Sequence, residues 1–145
     1  MGYGSVSCAI EPAIAFETNI IRSMQLRVLS RLEPFAYAAL RIVAGLLFLC
    51  HGLQKFGMLG GQQVDLMSRL GLAAVIEVVG GAFMIAGFLT VPTAFIASGE
   101  MAFAYFLAHQ PRGTWPIQNG GEPAVLFCFI FLFIATRGPG RFSID

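Results

Sequence analysis

The feature that most constrains this chain is the presence of ionisable residues inside long apolar runs. Arg41, His51, Glu77 and Glu100 each lie in a segment that is long and apolar enough to cross a bilayer. Ionisable side chains are costly at that depth, so those that occur usually pair with one another or line a functional pathway. The polar residues of the apolar segments are therefore the candidates for function.

Composition places the chain in the membrane class. Hydrophobic residues make up 57% of the 145 residues and charged residues 12%, well below the roughly 25% charged average of soluble domains. The net charge is +1 and the basic residues form no cluster, which argues against a nucleic-acid partner. The lipid bilayer is the expected partner. Because the three cysteines form no C-x-x-C pair, the sequence predicts no disulfide framework and no metal site.

Four apolar segments predict an all-α fold, an integral membrane four-helix bundle. The predicted spans cover residues 34–56, 72–90, 92–109 and 122–136. Each is near the roughly 20 residues that about 30 Å of hydrocarbon requires, the last being the shortest. Val91 and Pro92 join the middle two spans almost directly, which predicts a tight antiparallel hairpin because proline cannot continue a helix but readily begins one.

Residues 1–33 are polar and predict a loosely ordered tail that precedes a transmembrane domain over residues 34–145. Glu11 and Glu17 interrupt the only stretch that could serve as a secretory signal. The sequence leaves open whether the natural chain starts at Met24.

Basic residues predict the orientation. The two terminal flanks hold more arginine and lysine than the loops at the opposite end of the bundle, which predicts that both termini are cytoplasmic. The flanks contribute Arg22, Arg27, Arg31, Arg137 and Arg141, and the opposite loops contribute Lys55, Arg69 and Arg112.

The polar residues fall at matching depths in different spans. At about 1.5 Å per residue, Arg41 lies about 10 Å from the inner end of its span and Glu100 about 12 Å from the inner end of its own. His51 and Glu77 each lie about 8 Å from the outer end, and Lys55 follows one turn above His51. The basic residues of the first span share an arc of roughly 80°, so this stripe is expected to face the bundle and not the lipid.

Two interpretations of these groups stay open. In the first, Arg41 with Glu100, and His51 or Lys55 with Glu77, are buried ion pairs that only fix helix register. In the second, the same groups line a pocket for a polar-headed lipophile or form a proton path, since histidine and a buried carboxylate can exchange protons near neutral pH.

The loop over residues 110–121 differs from an ordinary connector. Trp115 is an interfacial anchor by type, Pro111 and Pro116 argue against helix, and Asn119 opens a turn signal with two glycines. The loop is expected to fold over the outer mouth, which would bring His109, Arg112 and Glu122 to that side. No catalytic residue is identified, and the candidate ligand or proton site comprises His51, Lys55, Glu77, Arg41, Glu100, Glu122 and Asn119.

The two histidines also suggest a haem b cofactor with His51 and His109 as axial ligands. This is disfavoured because His109 lies at the edge of its span and on the helical face opposite Glu100, and because the sequence has no second pair of histidines.

Taken in order, the polar and small residues resemble those of the DoxX family of small four-span bacterial membrane proteins. The likeness runs from about residue 35 to residue 145, leaving residues 1–33 outside it. It is carried by Arg41, His51-Gly52, Lys55-Phe56, Glu77, Gly80-Gly81, Gly87, Met101, Ala104, Asn119-Gly120-Gly121-Glu122, Gly138-Pro139-Gly140, Ser143 and Asp145. The family takes its name from subunits of a thiosulfate and quinol oxidising membrane system, so the resemblance implies a multi-pass protein of the bacterial inner membrane linked to redox chemistry.

Three functions are therefore considered. The first is a small subunit of a quinone- or thiosulfate-linked redox system, within a larger complex or a homo-oligomer, that binds a lipophilic ligand such as a quinone or relays protons between its helices. Such a protein would be part of a membrane oxidoreductase. The alternative is a non-catalytic anchor or interaction subunit of a larger complex. A transporter is less favoured, because the sequence shows no internal inverted repeat.

Overall fold

The structure is a computed structural model that describes the backbone of residues 7–145 and the side chains of residues 27 and 29–145. The chain divides into two units, Met1–Ala36 and Tyr37–Asp145. Regular structure in the described residues is entirely helical, which confirms the all-α class. The functional residues discussed below all belong to the second unit.

The regular elements of the described residues are five α-helices and two short helical turns of other types. The helices are α1 (Ser7–Lys55), α2 (Arg69–Ala86), α3 (Thr90–Ala104), α4 (Pro116–Asn119) and α5 (Glu122–Arg137). Between α3 and α4 lie a π-helical turn at Tyr105–His109 and a 3-10 turn at Gln110–Arg112.

Three stretches among the described residues are long and apolar enough to cross a membrane, namely Leu29–Lys55, Arg69–Ala86 and Thr90–Arg112. The helix α5 has 16 residues and falls short of the roughly 20 that a span needs. The fourth span therefore stays a prediction, as does the side of the membrane on which the termini lie.

The first helix begins much earlier than the sequence suggested. Its backbone is helical from Ser7, across most of the stretch expected to be a loosely ordered tail. The domain boundary placed between residues 33 and 34 stays a prediction.

The hairpin between α2 and α3 is present, but its turn lies earlier than predicted. Gly87 ends α2 in the left-handed region at φ 68°, where glycine pays no steric penalty. The backbone N–H groups of Gly87 and Phe88 both donate to the carbonyl of Phe83. Thr90, expected to end the second span, instead begins α3, and Pro92 falls in the first turn of that helix, where its missing N–H leaves no bond unmade.

Glycines let α1 and α2 approach closely. A Cβ atom on Gly81 would lie 2.7 Å from the carbonyl oxygen of Gly45 and 2.7 Å from the backbone nitrogen of Leu49. Small residues allow this kind of backbone approach between membrane helices. The core around this contact is apolar and consists of Tyr37, Ala44, Phe48, Met84, Ala94, Ala97, Met101, Phe131 and Ile134.

Candidate functional site

An open cavity of about 1130 Å³ lies at the end of the bundle where α1 finishes and α2 begins. Residues of α1, α2, α3, the π-helical turn and α5 line it. Its charged and titratable lining residues are His51, Lys55, Arg69, Glu77, Glu100 and His109. Most of the remaining wall is apolar and includes Leu72, Ile76, Ile96, Phe103, Leu107 and Phe127.

Lys55 and Glu77 form an ion pair on the cavity wall. The Lys55 ammonium donates to both carboxylate oxygens of Glu77, at 2.6 and 2.5 Å. Glu77 is buried, and the Lys55 side chain is 24% exposed. Gly52, one turn before Lys55, packs so closely on α2 that a Cβ there would lie 2.9 Å from the Cβ of Glu77. The close approach of the two helices therefore holds the pair together.

Glu100 faces the same cavity without a comparable partner. Its Oε2 atom is buried and accepts no hydrogen bond from the described part of the chain. Glu77 and Lys55 are close enough to act on it electrostatically. The Lys55 ammonium donates to both oxygens of Glu77. Glu100 is therefore a cavity residue with one oxygen atom that the described part of the chain leaves without a hydrogen-bond partner.

The two histidines reach the cavity in different ways. His51, on α1, is exposed and packs edge-on against the ring of Phe127, with the ring centres 6.1 Å apart. His109 is partly buried, and its Nδ1 lies 3.2 Å from the carbonyl oxygen of Asn119.

The π-helical turn explains why His109 and Glu100 share a cavity. At about 100° per residue, an uninterrupted α-helix would place them on opposite faces. The turn at Tyr105–His109 changes that register, and both residues line the same space. Such π-bulges are frequent at functional sites. The prediction of opposite faces is therefore wrong, and with it one of the three reasons for disfavouring a haem pair.

Arg41 does not pair with Glu100 as predicted. Its guanidinium is fully buried, and its hydrogen bonds within the described chain all go to backbone carbonyls. It donates to Met84 at 2.7 Å in the last turn of α2 and to Phe142 at 2.6 Å in the C-terminal segment. The unpaired carbonyls at the end of a helix attract a cation. Glu100, ten residues into α3, lies about 15 Å along its helix from that end.

The C-terminal segment is bound to the same end of the hairpin as Arg41. The carboxylate of Asp145 accepts from the backbone N–H of Leu89 at 2.7 Å and of Thr90 at 2.8 Å. The N–H groups of Ile144 and Asp145 in turn donate to the carbonyl of Gly87. The hydrogen bond from the Thr90 backbone, together with that from Leu89, holds the pKa of Asp145 below its ordinary value. Asp145 thus caps the start of α3.

Besides Arg41, two more of the predicted site residues, Glu122 and Asn119, lie outside the cavity lining. Glu122, the first residue of α5, lines a separate apolar groove of about 500 Å³ together with residues of α1. Asn119 is buried, and its side chain stabilises a turn: it donates to the carbonyl of Gly113 and accepts from the N–H of Gly121, both at 2.8 Å.

The connecting loop is more regular than predicted. Pro116 does not prevent a helix but begins the short helix α4, since proline is well suited to the first helical position. Trp115 is exposed, as an interfacial anchor would be. Of residues 110–121, Gly120 lines the cavity, so the loop contributes only one edge and does not close the mouth.

Arg69 lines the cavity but was not among the predicted site residues. In the sequence it contributed only to the prediction of which side of the membrane the termini lie on. It begins α2, where Ser68 caps the helix by accepting from the N–H of Gly71. Eight residues separate it from Glu77, a little over two helical turns, so the two lie on similar faces. That spacing from Glu77 is the feature of the sequence that could have assigned Arg69 to the site. Among the described residues, no three histidine, cysteine or acidic side chains are grouped as a metal site would require.

Comparison with known proteins gives the family. The sequence profile of the DoxX family matches residues 36–110. The chain belongs to the DoxX family. It is 40% identical over 125 residues to an uncharacterized protein of Haemophilus influenzae, a match that covers 81% of this chain and 93% of the relative.

A second relative is an uncharacterized membrane protein of Mycobacterium tuberculosis. It is 27% identical over 138 residues, which covers 82% of this chain and 85% of the relative. No solved structure matches the chain. This DoxX protein is thus a multi-pass membrane protein. The range matched by the DoxX profile, residues 36–110, includes all six ionisable residues of the cavity, namely His51, Lys55, Arg69, Glu77, Glu100 and His109.

Proposed function

We propose that this DoxX protein binds a lipophilic ligand with a polar head in the cavity beside Glu77 and Glu100. One observation carries the proposal: ionisable groups from three helices and a π-helical turn meet in a cavity whose wall is otherwise apolar. A concave apolar site with a few convergent polar groups is the usual form of a ligand pocket.

The apolar wall suggests that the ligand enters from the bilayer. Leu72, Ile96, Phe103 and Leu107 line the cavity and are more than half exposed. In a membrane, such surfaces face lipid tails. A lipophile could therefore move sideways between α2 and α3 with its head directed at Glu100.

The polar groups have distinct roles in this proposal. The Lys55–Glu77 pair supplies a fixed local charge distribution, because each oxygen of Glu77 is already bound. Glu100 forms a hydrogen bond with the head of the ligand, while the imidazoles of His51 and His109 are groups that can pass protons. Arg41, Glu122 and Asn119 support the fold and take no direct part.

The family name extends the proposal to redox chemistry. Because the DoxX resemblance implies a thiosulfate- and quinol-oxidising membrane system, we propose a quinone as the ligand and a larger redox complex or a homo-oligomer as the assembly. The bacterial inner membrane is the proposed location, with α5 as a fourth span and both termini cytoplasmic. A reporter active only in the cytoplasm, fused after Asp145, tests this topology, and a silent reporter at normal expression would contradict it.

Chemical analysis of the purified protein tests the function. Small molecules are extracted from protein purified in mild detergent and identified by mass spectrometry. A stoichiometric quinone supports the redox subunit. No lipophile at all, with a stable stoichiometric protein partner, would instead favour the anchor.

A further inference from the structure

We infer that Lys55 binds the polar head of the ligand through the one ammonium hydrogen that Glu77 leaves free, and that this head presents a neutral oxygen acceptor such as a carbonyl. The inference rests on the proposed ligand site and adds to it a binding residue and the chemical class of the head. A quinone belongs to that class, because its ring carries carbonyl oxygens.

The geometry of the ion pair leaves one donor on Lys55. An ammonium group carries three N–H donors, and the two carboxylate oxygens of Glu77 engage two of them, at 2.6 and 2.5 Å. Within the described part of the chain, the ammonium makes no further hydrogen bond. Because the three N–H bonds of an ammonium point to the corners of a tetrahedron, the third is directed away from the carboxylate.

The surroundings of Lys55 make this third donor available to a ligand. The Glu77 side chain is 2% exposed, whereas that of Lys55 is 24% exposed and lines the cavity. A donor directed away from the buried partner therefore lies on the accessible side of the pair. The close packing of Gly52 on α2 holds the two helices together at this level. A donor that is fixed before the ligand arrives costs little to order on binding.

A neutral head fits this donor better than an anionic one. Glu77 balances the charge of Lys55, so an anion would bring an uncompensated charge into a cavity whose wall is mostly apolar. A carbonyl oxygen accepts the hydrogen bond without adding charge, and a bond from an ammonium is stronger than one from a neutral donor. Arg69, the other lysine or arginine of the lining, is exposed, so its charge is hydrated or screened at the open end of the cavity.

A matched pair of compounds tests the inference. The full chain in mild detergent is titrated calorimetrically, in the dark, with 4-octylbenzophenone and with 4-octyldiphenylmethane, in which two hydrogens replace the carbonyl oxygen. Partitioning into micelles is subtracted with the Gly99→Trp variant, whose side chain would occupy the cavity, since a Cβ on Gly99 has no neighbour within 4 Å. The ketone is expected to bind about tenfold more tightly, or better, as one hydrogen bond from a charged group implies.

Infrared spectroscopy of the bound ketone reports the hydrogen bond itself. A donor weakens the C=O bond, so an isotope-labelled carbonyl should absorb at a lower frequency in the wild type than in protein-free micelles. The double variant Lys55→Met with Glu77→Leu removes the ammonium without stranding a buried carboxylate, and it should lose this shift. Arg112→Gln removes a cation outside the cavity lining and should keep it. Lys55→Gln, which leaves an N–H donor for Glu77, should reduce the shift, so a double variant that does not fold still leaves a test.

The outcomes separate the two proposals. A bound ketone with an unshifted carbonyl, or with the same shift in the wild type and in the Lys55 variants, would overturn this inference and leave the ligand site standing. A shift that survives in the double variant but disappears in Arg69→Gln would assign the head to the open end of the cavity and also overturn it. Binding of neither compound would overturn both the inference and the ligand site.

Discussion

The ammonium of Lys55 donates to both carboxylate oxygens of Glu77, at 2.6 and 2.5 Å, where the end of α1 meets the middle of α2. The carboxylate is buried and the ammonium is partly exposed, so the two partners are not equivalent. Removing the lysine leaves a buried charge, whereas removing the glutamate leaves a cation that can reach water.

The first prediction uses this asymmetry. Lys55→Met is expected to lower the free energy of unfolding by about 3 kcal/mol, because it strands the buried carboxylate. Glu77→Leu should cost less, and the double variant should cost less than the sum of the two single losses. Unfolding in mixed micelles measures all three. Strictly additive losses would show that the pair does not interact.

The second prediction concerns Arg41. Arg41→Met should destabilise the protein markedly, because it leaves the bound carbonyls of Met84 and Phe142 without their donor. Arg41→Lys should not restore stability, since a single ammonium cannot reproduce the planar fork of a guanidinium. In a double-mutant cycle with Glu100→Gln, the losses should add within about 0.5 kcal/mol. Strong coupling to Glu100 would restore the pairing first expected from the sequence.

The third prediction concerns pH. Because hydrogen bonds hold the pKa of Asp145 below its ordinary value, its cap contributes stability above the unfolded-state pKa of about 3.9. That contribution is lost as the pH falls through the lower, folded-state pKa. The melting temperature of the wild type should therefore fall more steeply below about pH 4 than that of Asp145→Asn. Parallel curves for the two proteins would show that the carboxylate does not cap α3.

The fourth prediction compares two glycines. Gly81→Ala should cost about 1–3 kcal/mol, because its new methyl group would meet backbone atoms of Gly45 and Leu49 that cannot move aside. Gly99→Ala is the matched control, since a Cβ there meets nothing within 4 Å, and it should be neutral or slightly stabilising through helix propensity. Thermal unfolding of both variants in one detergent makes the comparison. Equal losses at the two positions would argue against the close helix contact.

Much of the fold could be predicted because apolar run length and proline position are local signals. The second and third helices and their hairpin follow from residues 72–109 alone. The turn was misplaced because the left-handed conformation of Gly87 ends α2 before the apolar run ends. Apolar character does not reveal such a stop inside a run.

The site was harder to predict because the sequence gives only the distance of each residue from the end of its helix. This distance does not say which side chains or backbone groups a residue meets. His51, Lys55, Glu77 and Glu100 do line one cavity. Arg41 was assigned the wrong partner because its long side chain reaches backbone carbonyls at a helix end, and these leave no mark in the sequence. His109 was placed on the wrong face because a π-helical turn has no simple sequence signature.

The most direct test of the ligand site is the amount of lipophile that the purified protein retains. Wild type and Gly99→Trp are purified in the same mild detergent, and the bound lipophile per chain is measured by native mass spectrometry. Leu126→Trp, which alters the separate groove beside Glu122, serves as the control, and melting temperatures verify that all three proteins are folded. A ligand site in the cavity predicts near-stoichiometric lipophile in the wild type and in Leu126→Trp and little in Gly99→Trp. Equal retention by the three folded proteins, or none by the wild type, would contradict it.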